Sequence, residues 1–95
     1  MNDSIRSELI AKLTANLPVL RAKLKLSQAE LSTAIGVGRQ TIVAIESGNS
    51  KMRWDTFLAI VFVISLNEDA KEMMSALGVD CEIIGKTINR DITSR

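Results

Sequence analysis

At 95 residues the chain has the length of one compact unit with at most a short appendage, which excludes a two-domain enzyme. A hydrophobic content of 46% allows a real core, and the single cysteine, Cys81, allows no internal disulfide. The net charge of +1 by itself argues for neither a nucleic-acid binder nor a membrane-surface protein.

In chain order, the first predicted helix runs from about Ser4 to Ala15. Asp3 or Ser4 accepts from its free amides, and Ile5, Leu9, Ile10 and Leu13 form one stripe. Pro18 lacks an amide and crowds the carbonyl of Thr14, so a restart is expected, with Asn16 capping a second helix to about Lys25. One kinked helix is the alternative. Ser27 with Glu30 makes a capping box for the third helix, which ends at Gly36. The fourth spans Arg39 to Ser47 and stops at Gly48, with Ile42 and Ile45 inward and a polar outer face. The fifth, Trp54 to about Leu66, is apolar nearly all round. Phe57, Leu58, Val61 and Ile64 form its main stripe, leaving Ile60, Phe62 and Val63, while Trp54 reads as a core or interface anchor. Its apolar run, Phe57 to Leu66, is half the ~20 residues of a membrane span. Asn67 caps the sixth helix, which carries Glu68, Asp69 and Glu72 in its first turn and ends at Gly78. Beyond it, the tail forms a short strand around Glu82-Ile83-Ile84 or trails off.

Two short helices joined by a tight turn, Ser27–Gly36 and Arg39–Ser47, have the arrangement of a helix-turn-helix. With Gln28 as the first motif position, Ser32 is the fifth, Gly36 the ninth, Ile42 the fifteenth and Ile45 the eighteenth. A small group at five lets the backbones approach, glycine at nine takes a positive φ, and the two isoleucines lock the second helix onto the first. Charge follows the motif. Residues 21–53 carry Arg21, Lys23, Lys25, Arg39, Lys51 and Arg53 against Glu30 and Glu46, whereas 54–84 carry Lys71 alone against six acidic residues.

The runs Leu-Ser-Gln-Ala-Glu-Leu, Ile-Gly-Val, Arg-Gln-Thr-Ile and Ile-Glu-Ser-Gly resemble the XRE (lambda-repressor-like) helix-turn-helix family of bacterial and phage regulators over roughly residues 17–78. The resemblance implies an all-α, five-helix DNA-binding domain that acts as a dimer on near-palindromic operators. The chain then divides into an N-terminal helical extension (1–16), the DNA-binding domain (17–78) and a C-terminal tail (79–95). By the same resemblance Gln28 contacts a phosphate or braces the recognition helix, Arg39, Gln40, Thr41 and Ala44 face the groove, and Arg21 pairs with Glu46 as a structural ion pair.

Side-chain chemistry points the same way. Arginine can donate twice to guanine O6 and N7, and glutamine can pair with adenine N6 and N7, so Arg39 and Gln40 suit base readout. Thr41 can meet a phosphate or a thymine methyl. The chain departs from the family at Gly38, where a capping hydroxyl is usual, and at Val43 and Ala44, which can touch thymine methyls but form no hydrogen bonds. Specificity is then modest or completed by DNA shape. Asn49, Lys51 and Arg53 suit a loop resting on phosphates.

The leftover apolar face of the fifth helix suits an isologous dimer through Ile60, Val63, Met73, Met74 and Leu77, which sets two recognition helices about 34 Å apart. The N-terminal helix is the other available cover. No histidine or tyrosine, no metal-ligand spacing and no phosphate-cradling glycine loop is present, so neither an enzyme nor a cofactor or metal is expected. A cytoplasmic, homodimeric repressor on double-stranded DNA is the leading expectation. An antitoxin or protein-interaction module is the other, recognised by a tail that is extended until it meets its partner.

Overall fold

The computed structural model describes residues 3–93, and among them it contains six α-helices and no strand. Leu9, Ile10, Leu13, Leu17 and Leu20 recur at helical spacing and all are buried, a stripe that continues straight past Pro18. The first helix, α1, accordingly runs unbroken from Asp3 to Leu24. This corrects the expected restart at Asn16. An internal proline costs about 3 kcal/mol, but burying Leu17 and Leu20 stabilises by about 1.5–3 kcal/mol each, and both need the helix to continue. Pro18 itself lies on the exposed side. Asn16 caps nothing; its amide donates back to the Lys12 carbonyl at 2.8 Å. What precedes α1, including any cap by the Asp3 side chain, lies outside the described residues.

α1 ends in a Schellman turn: the Leu26 amide donates to the Arg21 carbonyl and the Lys25 amide to that of Ala22, with Lys25 at φ +59°. Helix α2 (Gln28–Ile35) starts in the expected capping box. Ser27 Oγ accepts from the Glu30 amide at 3.0 Å, and the Glu30 carboxylate accepts from the Ser27 amide at 2.9 Å. It ends at Gly36, whose φ of +78° lets Val37 turn back to the Ser32 carbonyl. Helix α3 (Arg39–Glu46) follows directly, held by Ile42 and Ile45.

Helix α4 (Trp54–Ser65) buries Thr56, Phe57, Ile60, Val61 and Ile64 among α1, α2 and α5. Leu58, assigned to the main stripe, is only half-buried, and Ile60, left over in the stripe reading, is fully enclosed because α1 runs alongside. Helix α5 (Glu68–Ala76) is capped by Asn67, whose carbonyl oxygen accepts from the Ala70 amide at 2.9 Å. The tail is neither strand nor trailing coil. It forms α6 (Cys81–Thr93), with Asp80 accepting from the Glu82 amide at 2.7 Å and Ile84 and Thr87 buried. Near its end Asp91 pairs with Arg6 of α1, whose guanidinium lies 4.9 Å over the Trp54 ring; that ring stacks on Phe57. The start of α1, carrying the end of α6 with it through Arg6 and Asp91, thus closes on the start of α4.

Candidate nucleic-acid interface

Everything that orients α3 acts from beneath it. Ile42 and Ile45 are at most 2% exposed, so the helix cannot roll. Ser32, buried where α2 and α3 cross, turns its hydroxyl back to the Ala29 carbonyl at 2.7 Å and leaves the crossing free of an unpaired polar group.

The far end of α3 is clamped by charge. Arg21 Nε donates to Glu46 Oε2 at 2.7 Å and Nη2 donates to Oε1 at 2.9 Å, while Nη1 donates to the Leu26 carbonyl at 3.0 Å. Gln28 Nε2 adds a third donor to Glu46 Oε1 at 2.9 Å. Burial pushes the Glu46 carboxyl pKa up, but the hydrogen bonds from Arg21 and then Gln28 outweigh it and hold the group below its usual range. The same hydrogen bond raises the pKa of Arg21, keeping it charged. The Gln28 side chain thus joins the start of α2 to the last residue of α3.

With its base fixed, α3 turns a polar edge to solvent. Arg39, Gln40 and Thr41 are exposed in its first turn, Val43 is 38% exposed one turn on, and Ala44 is half-buried. Gly38 stands at the N-cap with φ −72° and ψ 151° and gives no side-chain cap. An added Cβ there would meet only Gln40 Oε1, at 3.6 Å, so nothing but the missing side chain leaves that amide end uncapped.

Two features were not legible from spacing. Arg21 and Arg39 line one open depression of about 440 Å³ with Ser27, Gln28 and Ala29, where the N-termini of α2 and α3 meet. Guanidinium groups and helix N-termini together favour an anion. Spacing marks Ser27 only as a cap and gives Ala29 no role; the signal for the depression is the tight turn itself, which brings the two helix starts side by side. In the loop before α4, Asn49, Lys51 and Arg53 are all exposed on the side chain. Arg53, however, donates to Asp55 at 3.2 and 3.3 Å. Asp55 is held below the usual carboxylate pKa by Arg53 and by the Thr56 amide, so a phosphate would meet a guanidinium already shared.

The expected dimer face needs correction. Ile60 and Met74 are fully buried within the chain, packed by α1 and its neighbours, and present nothing to a partner. Val63 and Met73 are half-buried and Leu77 is 36% exposed. Phe62 and Leu66, at 65% and 72%, are the large apolar groups that α4 and its C-cap leave outside.

Among the described residues no helix is long and apolar enough to cross a membrane. Residues 20–52, which hold the end of α1, all of α2 and α3 and the loop to Met52, match the helix-turn-helix family model. No curated protein and no solved structure gives a significant match.

Proposed function

From the premise that residues 20–52 form a helix-turn-helix of the XRE (lambda-repressor-like) family, a DNA-binding regulatory fold, we propose that the chain is a sequence-specific repressor acting as a homodimer in the cytoplasm. In this reading α3 lies in the major groove. Arg39 and Gln40 read base edges, while Thr41, Val43 and Ala44 offer apolar contact to thymine methyls. The depression between Arg21 and Arg39 takes one phosphate, and Asn49, Lys51 and Arg53 take others on the far side. The observation that carries the reading is the division of labour along α3: a first turn wholly exposed and polar, on a helix whose other end is pinned by Arg21, Gln28 and Glu46.

The antitoxin or interaction-module reading asks for a tail held out for a partner. The folded α6, tied to α1 through Arg6 and Asp91, favours the regulator instead.

Selection of bound duplexes from a random pool tests the proposal. A homodimer should enrich a two-fold symmetric site with half-sites about 34 Å apart, and affinity should fall steeply with salt as condensed counterions are released. No association at low salt would return the interaction module to first place.

A further inference from the structure

Helix α1 carries Ser7, Ala11, Thr14 and Ala15 on the side that passes the loop after α3. Their small side chains cannot fill the gap to that loop. The result is a groove of about 320 Å³, floored by Ile10, Ile45 and Met52 and walled by Ala11 and Ala15, at the lower end of the size range of small-molecule sites. Its lining is almost wholly apolar. The one charged side chain on it is Lys51, at the rim and exposed, which makes no ion pair among the described residues. No carboxylate lines the groove, and Thr14 turns its hydroxyl proton to the Ile10 carbonyl at 2.7 Å. An apolar trough with a single cation at its mouth is complementary to an amphiphilic anion.

We propose that this groove binds a free, medium-chain amphiphilic carboxylate, its chain against Ile10, Ile45 and Met52 and its head group on the Lys51 ammonium. Ile45 is the buried base of α3, and the loop of Gly48 to Met52 hangs from α3 through hydrogen bonds that the Asn49 and Ser50 amides donate to the Ala44 carbonyl. A ligand in the groove therefore touches the recognition helix from below and occupies a lysine that the proposed DNA complex uses on a phosphate. The ligand and DNA are antagonists. That antagonism rests on the DNA reading above; occupancy of the groove does not.

Octanoate and octanol are the probes, titrated into the full chain without DNA while the methyl groups of Ile10, Ile45 and Met52 are followed by NMR. Octanoate should give saturable shifts at these methyls below about 1 mM. It should bind about twofold to fivefold tighter than octanol, the gain expected from one exposed ion pair, and Lys51→Gln should erase that difference. Ala11→Leu and Ala15→Leu, both exposed positions on a helix, should each fill the groove and weaken octanoate at least about tenfold with an otherwise unchanged spectrum. Non-saturating shifts, equal binding to octanol, or undiminished binding to the filled variants would overturn the site. In a second arm, saturating octanoate should lower DNA affinity and flatten its salt dependence by about one counterion, while octanol does not. Affinity and slope unmoved by bound octanoate would overturn the antagonism. Absence of DNA binding without octanoate would count against the proposed function and leave the groove titration to decide the site.

Discussion

Arg21 near the end of α1 and Glu46 at the end of α3 are joined by two parallel hydrogen bonds, so α3 is fixed to α1 as well as to its turn partner α2. With side-chain exposures of 18% and 8%, the pair is largely desolvated. Removing one partner leaves the other charge buried and uncompensated. Arg21→Ala should therefore lower the stability of the fold by about 3–5 kcal/mol. Chemical denaturation should show that loss, and DNA binding should disappear in proportion to the unfolded fraction. A stable Arg21→Ala protein that fails to bind DNA would show that Arg21 acts through the phosphate proposed for the adjoining depression and not through the ion pair.

The same pair gives stability a direction in pH. Because the folded-state pKa of Glu46 lies below that of the unfolded chain, near 4.3 for an ordinary glutamate, its contribution is complete above that value and is lost as pH falls through the lower folded value. Urea midpoints measured from pH 7 downward should converge for wild type and Glu46→Gln in the acid range. A gap that stays constant to the acid limit would mean that Glu46 does not titrate with folding.

Arg39 and Gln40 are exposed and make no contact that holds the fold, so their joint replacement by alanine should leave the denaturation midpoint within experimental scatter. The loss should be in discrimination, about 1–3 kcal/mol for each base pair read. Competition between the enriched site and single-base variants measures it. Unchanged discrimination would move readout to Val43 and Ala44 or to DNA shape.

How much of this was readable depended on where the information lay. Ser27, Glu30 and Gly36 act within a few residues of one another, and the turn they build around α2 follows from their spacing. The outward position of Arg39, Gln40 and Thr41 follows equally from Ile42 and Ile45 being inward. Pro18 misled because its local cost is overridden by burial of Leu17 and Leu20 against other helices, a quantity absent from the local pattern. The tail misled for a different reason. The paired β-branched Ile83 and Ile84 suggested a strand, while a helical signal stood beside them in the Asp80 cap and the spacing of Cys81, Ile84 and Ile88. The bracing of Glu46 by Gln28 and the sharing of Arg53 with Asp55 are matters of side-chain geometry that spacing does not contain.

Gly38 offers a gain rather than a loss. Its backbone is already in the extended region that an N-cap needs, and its surroundings admit a Cβ. Gly38→Ser should add a side-chain acceptor for the first-turn amides and reduce the freedom of the unfolded chain, together about 0.5–1 kcal/mol. For a domain of this size that is a rise of a few degrees in Tm, roughly 4–8 °C per kcal/mol. Calorimetry would detect it. A fall in Tm would show that the end of α3 is held in a way that the cap geometry does not describe.

The proposed dimer is best tested at Phe62 and Leu66. Phe62 on α4 and Leu66 at its C-cap lie four residues apart, in line with half-buried Leu58, and are 65% and 72% exposed. An isologous contact that buries them would treat Phe62 as an anchor worth about 2 kcal/mol or more on truncation, roughly a thirtyfold rise in dimer Kd. Phe62→Lys and Leu66→Lys add like-charge repulsion across a two-fold axis and leave the core untouched. Sedimentation should show a dimer for the wild type and a monomer for the double variant, both with the same helical content. The variant should also lose the advantage of a symmetric site over a single half-site. A dimer that survives both lysines would move the interface to Met73 and Leu77 on α5, the remaining accessible part of the expected face.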